Sequence, residues 1–483
     1  MNTKLLKQKI LDLAIRGKLT QQLKSDGTAA DLLRQVSEQK RESSSTLSSP
    51  RRRGSPSAQS EKTIIPLDKS EAPFEIPVNW EWVRLGDVCD KLVDGDHNPP
   101  KGIATQTNYL MLSSRNINND RIVELNNVRY LTKETFIEED KRTNLSEGDI
   151  LFTSVGSLGR SCVFDGKGNF CFQRSVTIVH TLIFNKYLKY FFDSGYYQKV
   201  VVDNATGTAQ LGFYLEQMSK SIIALPPLAE QQRIVEKIQE AFAEIDSIEN
   251  NKELLKTHIK QARQKILDLA IHGRLVPQNK NDEPASVLLE RITRDNPHYE
   301  KIEDEPFEIP ENWAWCKLGT LSESIQYGYN APAKDFGRIK MVRISDIHEN
   351  EVEWDSVPYC DIDEKEIQTY LLKKNDILFA RTGGTVGKSF IVGNLLEDAV
   401  YAGYLIRTRY GKNANAQYMK HFMESNLYWE QLRDGCIATA QPNCNGKTLG
   451  KMKIPLPPLN EQSRIVAKIE ELFTELDSIL QNI

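Results

Sequence analysis

The sequence has few cysteines, and none of them is spaced for a metal site. Seven cysteines are spread over 483 residues without a Cys-x-x-Cys pair, so neither a zinc site nor a disulfide framework is expected. Scattered free thiols are typical of a reducing compartment and predict a cytoplasmic location. Long apolar runs are missing too, since nothing approaches the ~20 residues of a membrane-spanning helix. The first residues form an amphipathic, lysine-bearing pattern that does not resemble a signal peptide.

Charge of one sign is not in excess. The 62 lysines and arginines stand against 66 aspartates and glutamates, for a net charge of −4. This balance excludes a uniformly basic nucleic-acid coat, but it allows a basic cleft because the helices carry much of the acid. With 40% hydrophobic and 27% charged residues, the composition is typical of a globular protein. The length predicts about three structural units.

A complete catalytic motif is also lacking. The run Gly383-Gly-Thr-Val-Gly-Lys-Ser resembles a phosphate-binding loop, but Thr382 stands where the first glycine of such a loop is required. The run Asn98-Pro-Pro-Lys resembles the Asn-Pro-Pro-aromatic tetrad of DNA amino-methyltransferases. There Lys101 replaces the aromatic residue that would stack on a flipped base.

A third stretch, Asp94-Gly-Asp-His, fits a polar turn better than a metal site. Nuclease chemistry would need a further carboxylate and a lysine on paired strands, which the sequence does not offer. We therefore expect no catalytic residues, no metal and no cofactor.

The chain does contain one long helix at its centre, from about Pro227 to Gly273. Two prolines precede it, and Gly273 with Pro277 follows it, which are typical start and stop signals. Apolar residues recur inside it at alternating spacings of three and four, the 3.5-residue repeat of a coiled coil. The residues of this predicted seam are Ile238, Ala241, Ile245, Ile248, Leu255, Ile259, Ala262, Ile266 and Leu269. A helix of this length would extend on the order of 70 Å.

Both halves of this helix occur a second time, at the two ends of the chain. The run from Leu225, Leu-Pro-Pro-Leu-Ala-Glu-Gln-Gln-Arg-Ile-Val, returns from Leu456 with few changes. The run from Gln264, Gln-Lys-Ile-Leu-Asp-Leu-Ala-Ile, already occurs from Gln8. The two ends together therefore resemble one copy of the central helix, which predicts an internal repeat in a circular arrangement.

Two globular stretches repeat as well. Pro73-Phe-Glu-Ile-Pro-Val-Asn-Trp-Glu-Trp is matched from Pro306, and Gly148-Asp-Ile-Leu-Phe is matched from Asn375. Between these matched anchors the two stretches differ widely. A constant frame with variable insertions suits a protein that recognises two different binding targets at a fixed separation.

Together these duplicated motifs resemble the specificity subunit of type I restriction-modification systems. Each motif alone is only weakly specific, but the motifs occur twice in the same order. The resemblance covers nearly the whole chain apart from a Ser/Arg-rich insert at 42–62. It implies an α+β fold in which a long antiparallel coiled-coil helix pair separates two mixed α/β target-recognition domains with a pseudo-two-fold internal repeat. Each domain would read one half of a bipartite double-stranded DNA sequence.

The resemblance also implies partners. Two methyltransferase subunits would be anchored by the helices, and restriction and translocase subunits would join through them, without a membrane and without catalysis by this chain. The alternative is a coiled-coil scaffold that displays two protein-binding domains. A stand-alone nuclease is a weaker alternative.

The predicted boundaries follow the repeat. They are an N-terminal helical segment (1–41), a low-complexity linker (42–72), target-recognition domain 1 (73–226), the central coiled-coil helix (227–276), a helical linker (277–305), target-recognition domain 2 (306–457) and the C-terminal coiled-coil helix (458–483).

Candidate DNA-binding residues lie in polar turns of the two domains. Bare backbone amides of glycine-rich turns can approach phosphates, and arginine, asparagine and glutamine can make bidentate contacts to base edges. In the first domain the candidates are Lys101, Ser113, Arg115, Asn116, Ser154, Ser157, Arg160, Gln173, Arg174 and Thr208. In the second they are Tyr327, Tyr329, Asn330, Lys334, Arg343, Arg381, Thr382, Thr385, Lys388 and Gln441.

The central helix predicts a spacing rule. A seven-residue insertion after Glu249 keeps the coiled-coil seam in register and lengthens the helix by about 10 Å at 1.5 Å per residue. We expect the unread spacer between the two half-sites to grow by about 3 base pairs, at 3.4 Å each. Sequencing of modified bases in DNA from cells that carry the altered system measures this spacer. A spacer of unchanged length would contradict the rule.

Overall fold

The computed structural model describes residues 2–46, 64, 67, 69–118, 120–207, 210–294, 302, 304–348, 351–435 and 443–482. The chain divides into two compact units, Met1–Asn251 and Lys252–Ile483. Within the described residues, no helix combines the length and the apolar composition needed to cross a bilayer.

The described residues of the first unit form six α-helices, eleven short strands and the start of a long helix. Its helices are α1 (Thr3–Ile15), α2 (Ala29–Thr46), α3 (Lys133–Thr143), α4 (Asn185–Asp193), α5 (Gly195–Asp203), α6 (Leu215–Lys220) and the beginning of α7 (Leu228–Ile271). Its strands are β1 (Glu81–Arg84), β2 (Cys89–Asp94), β3 (Tyr109–Leu112), β4 (Ile117–Asn118), β5 (Arg121–Ile122), β6 (Arg129–Tyr130), β7 (Ile150–Thr153), β8 (Ser161–Val163), β9 (Asn169–Phe172), β10 (Val176–Thr181) and β11 (Ile222–Leu225).

The second unit contains the remainder of α7 and the same succession of strands. Its further helices are α8 (Ala285–Thr293), α9 (Leu318–Leu321), α10 (Glu364–Tyr370), α11 (Ala416–Phe422), α12 (Asn426–Gly435), α13 (Gly446–Gly450) and α14 (Leu459–Gln481). Its strands are β12 (Ala314–Lys317), β13 (Ser324–Tyr327), β14 (Ile339–Val342), β15 (Ile347–His348), β16 (Glu351–Val352), β17 (Tyr359–Cys360), β18 (Ile377–Ala380), β19 (Ser389–Ile391), β20 (Ala399–Tyr401), β21 (Leu405–Arg409) and β22 (Lys453–Leu456).

The two units share one sheet topology. In the first, a four-stranded sheet has the order β2-β10-β7-β8, a three-stranded sheet has the order β6-β3-β9, and β1 pairs with β11. In the second, the corresponding orders are β13-β21-β18-β19, β17-β14-β20 and β12 with β22. We call β1–β11 with α3–α6 the first sheet domain, and β12–β22 with α9–α13 the second sheet domain. The predicted internal repeat of two mixed α/β domains is confirmed.

The centre of each four-stranded sheet is fully buried. Strands β7 and β18, which carry the repeated Asp-Ile-Leu-Phe run, have only buried residues, as expected for a short apolar run covered on both faces. Aromatic rings fill the first core, where Phe152 packs edge-to-face on Phe192 with 5.2 Å between ring centroids. The hydroxyl groups of Tyr187 and Tyr418 donate to matched carbonyls, Ala224 O at 2.7 Å and Pro455 O at 2.6 Å.

Each unit pairs its end helix with α7 in an antiparallel sense. In the first unit Thr3 bonds to Glu249, and Lys7 forms an ion pair with Asp246, so residue numbers rise in α1 as they fall in α7. In the second unit Arg263 of α7 pairs with Asp477 of α14, and Gln278, which follows α7, bonds to Glu461 near the start of α14, so residue numbers again run in opposite directions. The antiparallel pairing predicted from the repeat is confirmed within each unit.

The seam of α7 differs in part from the predicted one. Ile238, Ile245 and Ile259 are buried as expected, but Ile248, which also belongs to the predicted seam, is 48% exposed. Near the end of α7 the buried residues are Leu267, Ala270 and Ile271, which belong to the core of the second sheet domain. Docking on a sheet domain therefore decides which face is buried there, a contact that a helix period alone cannot reveal.

The repeated Glu-Gln-x-Arg motif at the starts of α7 and α14 fastens each helix to its unit. The Gln231 amide donates to Pro226 O at 2.8 Å and accepts from Phe184 N at 3.0 Å, and its side chain is fully buried. Gln462 makes the matched bonds, to Pro457 O at 2.9 Å and from Asn415 N at 2.8 Å. We call these two residues with their neighbouring Glu and Arg the helix clasps; they explain why this polar motif occurs twice.

The carboxylates and arginines of the clasps also form hydrogen bonds and ion pairs. Glu230 accepts from the Trp80 indole at 2.8 Å, and Glu461 accepts from Gln278 at 2.6 Å. Arg233 pairs with Asp26 at 2.6 Å, and Arg464 pairs with Asp282 at 2.7 Å. The carboxylates of Asp26 and Asp282 are nearly buried, at 4% and 3% exposure.

The Arg233 clasp predicts a pH-dependent loss of stability. The hydrogen bonds from Arg233 lower the pKa of Asp26 below its usual 3.8. Because this folded-state pKa is depressed, the pair stabilises the fold above about pH 4, and that contribution disappears as the pH falls through the folded pKa. Arg233→Met should therefore lower the free energy of unfolding by about 1–3 kcal/mol at pH 7 and by less at pH 3, which lies below the unfolded pKa of Asp26. Urea unfolding at both pH values measures the difference.

A suitable control is Arg34→Met, since Arg34 pairs with Asp31 in a bridge whose side chains are 74% and 53% exposed. An exposed pair of this kind contributes about 0–1 kcal/mol. Equal losses for the two variants at pH 7 would contradict the structural role of the clasp.

Candidate nucleic-acid interface

Several loops of the first sheet domain meet where its strands end. Strands β3 and β9 run parallel, so their carboxyl ends, at Leu112 and Phe172, lie side by side. Strands β2 and β7 both pair antiparallel with β10, so their carboxyl ends lie at the start of β10. The sheet topology thus brings together the loops at 95–98, 113–116, 154–160 and 173–175, which we call the first loop edge.

Hydrogen bonds lock the first loop edge together. Ser114 N donates to Ser175 Oγ at 3.0 Å, Ser154 N donates to Ser175 O at 3.0 Å, and Arg174 N donates to Asp96 O at 2.8 Å. The loop that returns to α6 joins them, because Phe213 N donates to Ser154 O at 2.8 Å. These loops therefore form one connected surface.

The second sheet domain builds the same surface from matched bonds. Arg381 N donates to Tyr404 O at 3.2 Å, and Cys444 N donates to Arg381 O at 2.9 Å. The matching side chains are different: Asp96, Ser154 and Ser175 of the first edge correspond to Tyr329, Arg381 and Tyr404 of the second. We call the loops at 328–330, 343–346, 381–388, 402–404 and 443–446 the second loop edge.

A glycine at the end of the second strand of each domain lets the loops pass closely. A Cβ atom at Gly95 would stand 2.2 Å from Phe172 O, and a Cβ atom at Gly328 would stand 2.3 Å from Ala402 O. Any side chain there would displace the backbone of the neighbouring strand end. Both loop edges therefore depend on the same close approach.

The predicted DNA-binding residues of the first domain differ in how far they are exposed. Lys101, Arg115, Arg160 and Arg174 are exposed, and Ser113, Ser157 and Gln173 are partly buried. Asn116 and Ser154 are buried. Asn116 has a structural role, because its amide donates to Val123 O at 3.1 Å and accepts from Ser113 N at 3.0 Å. Thr208 lies outside the described residues.

Arg160 faces a different environment from the rest of this group. It lines a groove of about 990 Å³ together with Lys4 and Gln8 of α1 and Asp246 of α7. Its backbone carbonyl closes the β7–β8 turn by accepting from Thr153 N at 2.9 Å. Lys388 holds the matched position, where its carbonyl accepts from Ala380 N at 2.9 Å.

The predicted residues of the second domain are similarly divided. Tyr327, Asn330, Lys334 and Lys388 are exposed, and Tyr329, Arg343, Arg381, Thr382 and Thr385 are partly buried. Arg343 is paired with Asp346 at 2.7 Å and Lys334 with Asp361 at 2.5 Å. The Arg381 guanidinium lies over the Tyr327 ring, 4.8 Å from its centroid. Gln441 lies outside the described residues. Contact of all these residues with DNA stays a prediction.

Sequence reasoning missed two features of the loop edges. Tyr404 belongs to the second edge and is 65% exposed; an aromatic residue directly after Gly403 and before a buried strand was the available signal. The second feature is an acidic partner from an inserted helix, Glu139 of α3 beside Asp96 and Glu366 of α10 beside Tyr329. No local pattern links those residues, which are far apart in the chain.

The Asp96–Glu139 pair has opposed protonation preferences. The Asn98 amide, which donates to Asp96 Oδ1 at 2.8 Å, lowers the pKa of Asp96. Burial, followed by the neighbouring Asp96 carboxylate, raises the pKa of Glu139 to about 7. In the second domain, burial and then Glu366 raise the pKa of Tyr329. One proton is thus retained at the first loop edge close to neutral pH, so a neutral carboxyl group there can donate a hydrogen bond.

Among the described residues, no cluster of histidine, cysteine, aspartate and glutamate is arranged to hold a metal ion. The six described cysteines are all buried, and burial raises the pKa of the Cys89 thiol to about 12. They pack as small apolar residues.

Glu139 predicts a stability change with the opposite sign to that of Asp26. Its folded-state pKa lies above its usual 4.5, so the folded chain binds more protons than the unfolded chain between about pH 4.5 and 7, and stability falls as the pH rises through this window. Glu139→Gln should raise the free energy of unfolding by about 1 kcal/mol at pH 8, because solvent screening reduces the effect of the pKa shift on this partly exposed group, and should leave it unchanged at pH 4. Denaturant unfolding at both pH values checks this. Glu138→Gln, on the 71% exposed neighbour, is the matched control and should have little effect at either pH; an equal gain from both variants would refute the assignment.

Comparison with known proteins relates this architecture to a family. The family profile described as type I restriction modification DNA specificity domain matches residues 77–257 and 310–483. The chain is 24% identical to the EcoAI specificity subunit of Escherichia coli, over 97% of this chain and 89% of that protein. It is 23% identical to the EcoEI specificity subunit of Escherichia coli, over 99% of this chain and 90% of that protein.

Solved structures show the same fold. A structure concerned with complex assembly and conformational transition of the type I R-M system matches with a TM-score of 0.56 and 17% identity, over 85% of this chain and 94% of that one. The HsdS subunit from Thermoanaerobacter tengcongensis matches with a TM-score of 0.50 and 16% identity, over 86% and 93%. The family profile matches both halves of the internal repeat, and the chain therefore belongs to the type I restriction-modification DNA specificity family.

Proposed function

We propose that this chain is a non-catalytic DNA-reading subunit that recognises a bipartite duplex sequence, one half with each loop edge. The observation that carries the proposal is the pair of loop edges, which share a hydrogen-bonded backbone frame and differ in the side chains they present. A protein that reads the same sequence twice would have no use for this difference. Membership of the specificity family and the names of the relatives support it.

The loop edges carry suitable groups for both kinds of DNA contact. Exposed Lys101, Arg174 and Lys388 can neutralise phosphates, which position the protein. Arg381, Tyr404 and the Asp96–Glu139 pair present groups that can contact base edges in the major groove. Because the overall charge is −4, the favourable electrostatics must come from such local groups.

The helices supply the proposed partner surface. Leu5 of α1 is 66% exposed, and Ile248 of α7 is 48% exposed. We propose that this surface anchors methyltransferase subunits, two per chain to match the internal repeat, and that restriction and translocase subunits join through them. The complex acts in the cytoplasm, where its DNA is.

A salt titration tests DNA reading in the assembled complex. The target is first obtained by sequencing modified bases in DNA from cells that carry the intact system, and duplexes with one or both half-sites are then used as probes. A phosphate-contacting reader loses affinity log-linearly with salt concentration. A scaffold with protein-binding domains would show no duplex binding at any salt concentration.

Half-site independence gives a sharper prediction. Arg174→Ala should weaken binding through one half-site, and Lys388→Ala through the other, since the two residues are exposed on the loop edges of different sheet domains. Each loss of a phosphate contact should also lower the salt slope by about one. Binding to duplexes that carry a single intact half-site measures both effects.

Lys199→Ala is the control, because Lys199 is an exposed lysine of α5, outside the loops of the first loop edge, and already pairs with Asp203. It should leave both half-sites and the salt slope unchanged. Loss of the same half-site in the Arg174 and Lys388 variants would contradict the two-reader model.

A further inference from the structure

The Arg381 side chain is positioned for hydrogen bonds to a group outside this chain. The other arginines in or beside the second loop edge and its sheet are engaged: Arg338 with Glu364 at 3.0 Å, Arg343 with Asp346 at 2.7 Å, Arg407 with Leu371 O at 3.2 Å and Arg409 with Asp376 at 2.6 Å. In the described part of the chain, Arg381 has no carboxylate or carbonyl partner for its side chain, and its Nε atom is buried without a hydrogen bond. It remains half-buried all the same.

The Arg381 side chain is held in place by an aromatic ring that is itself anchored. The guanidinium lies 4.8 Å from the centroid of Tyr327, and the Tyr327 hydroxyl accepts a hydrogen bond from Gly446 N at 2.8 Å. The Arg381 backbone is bonded on both sides, through its N–H to Tyr404 and through its carbonyl to Cys444. Stacking and backbone bonds together restrict the rotamers of a side chain that would otherwise lose much entropy on binding.

We propose that Arg381, positioned by Tyr327, reads a guanine in the major groove of the half-site bound by the second sheet domain. This inference rests on the proposed function and names the base and the residue that carry part of it. The guanidinium presents two parallel N–H groups in a plane, which match the O6 and N7 acceptors of guanine. A phosphate contact tolerates many orientations, whereas a bidentate base contact requires the fixed plane that stacking on Tyr327 provides.

The first loop edge has no counterpart of this reader. The position that corresponds to Arg381 is Ser154, which is buried at 1% exposure and cannot reach a base. The residue that corresponds to Tyr329 there is Asp96, paired with Glu139. The stacked arginine is therefore confined to the second loop edge, and the other half-site serves as an internal reference.

The test replaces single guanines by 7-deazaguanine in the second half-site. This base keeps Watson–Crick pairing but lacks the N7 acceptor. The assembled complex should bind one substituted duplex about 10- to 100-fold more weakly, and the same substitution in the first half-site should not depend on Arg381. Arg381→Ala should bind the natural duplex more weakly and no longer distinguish guanine from 7-deazaguanine at that position. Arg381→Lys, which keeps the charge but not the fork, should also lose the discrimination.

Tyr327→Leu separates positioning from contact. It keeps Arg381 but removes the ring below it, so the discrimination between guanine and 7-deazaguanine should fall while some affinity for the duplex remains. Tyr327→Phe keeps the ring and should retain most of this discrimination. Arg433→Ala removes an exposed charge on α12 and should change nothing. Unchanged binding through the first half-site shows that each variant is folded.

Two results would overturn the inference and leave the proposed function standing. One is an Arg381→Ala variant that weakens binding equally on every sequence and lowers the salt slope by about one, which identifies a phosphate contact. The other is discrimination against 7-deazaguanine that survives in Arg381→Ala. If the wild-type complex showed no sequence-dependent duplex binding at all, the proposed function itself would fail.

Discussion

The buried amide at the start of α7 and of α14 is the interaction on which the arrangement of each unit depends. Gln231 and Gln462 join the prolines before the helix to a backbone amide beside a helix of the sheet domain, at Phe184 and Asn415. Both side chains are fully buried, so each bond is made without competition from water. Loss of one partner would leave buried polar groups unpaired, which is more costly than the bond itself is favourable. The amide thus fixes where a long helix leaves its domain.

Around this anchor, the residues that stabilise the fold and those proposed to recognise DNA lie in different parts of the chain. The clasps, the buried strands β7 and β18 and the matched tyrosines use residues that occur twice. The loop edges use backbone hydrogen bonds for their shape, so Ser154 can become Arg381, and Ser175 can become Tyr404, without loss of the frame. Such a division lets recognition residues change while the parts that carry the free energy of folding stay the same.

The electrostatics of the two loop edges differ in kind. The first edge holds an acidic pair in which Glu139 retains a proton close to neutral pH, while the second holds a stacked arginine and exposed aromatic rings. Carboxyl groups and guanidinium groups favour different bases, because one accepts or donates singly and the other donates through a planar fork. This difference supports the proposal that the two edges read different half-sites.

The sequence by itself determined the internal repeat, the extent of the central helix and the repeated frame of the two domains, because matching runs and a 3.5-residue period are local properties. It also identified the turns that carry Arg174, Arg381 and Lys388. Only the tertiary structure decided which of these side chains are free. Asn116 and Arg343 are used internally, and Arg160 faces the groove beside α1. Asp96 and Tyr404 are placed in the loop edges, and Glu139 is placed beside Asp96, by contacts between residues distant in the chain. Burial, pairing and protonation depend on which segments the sheets bring together, and a local pattern carries no information about that.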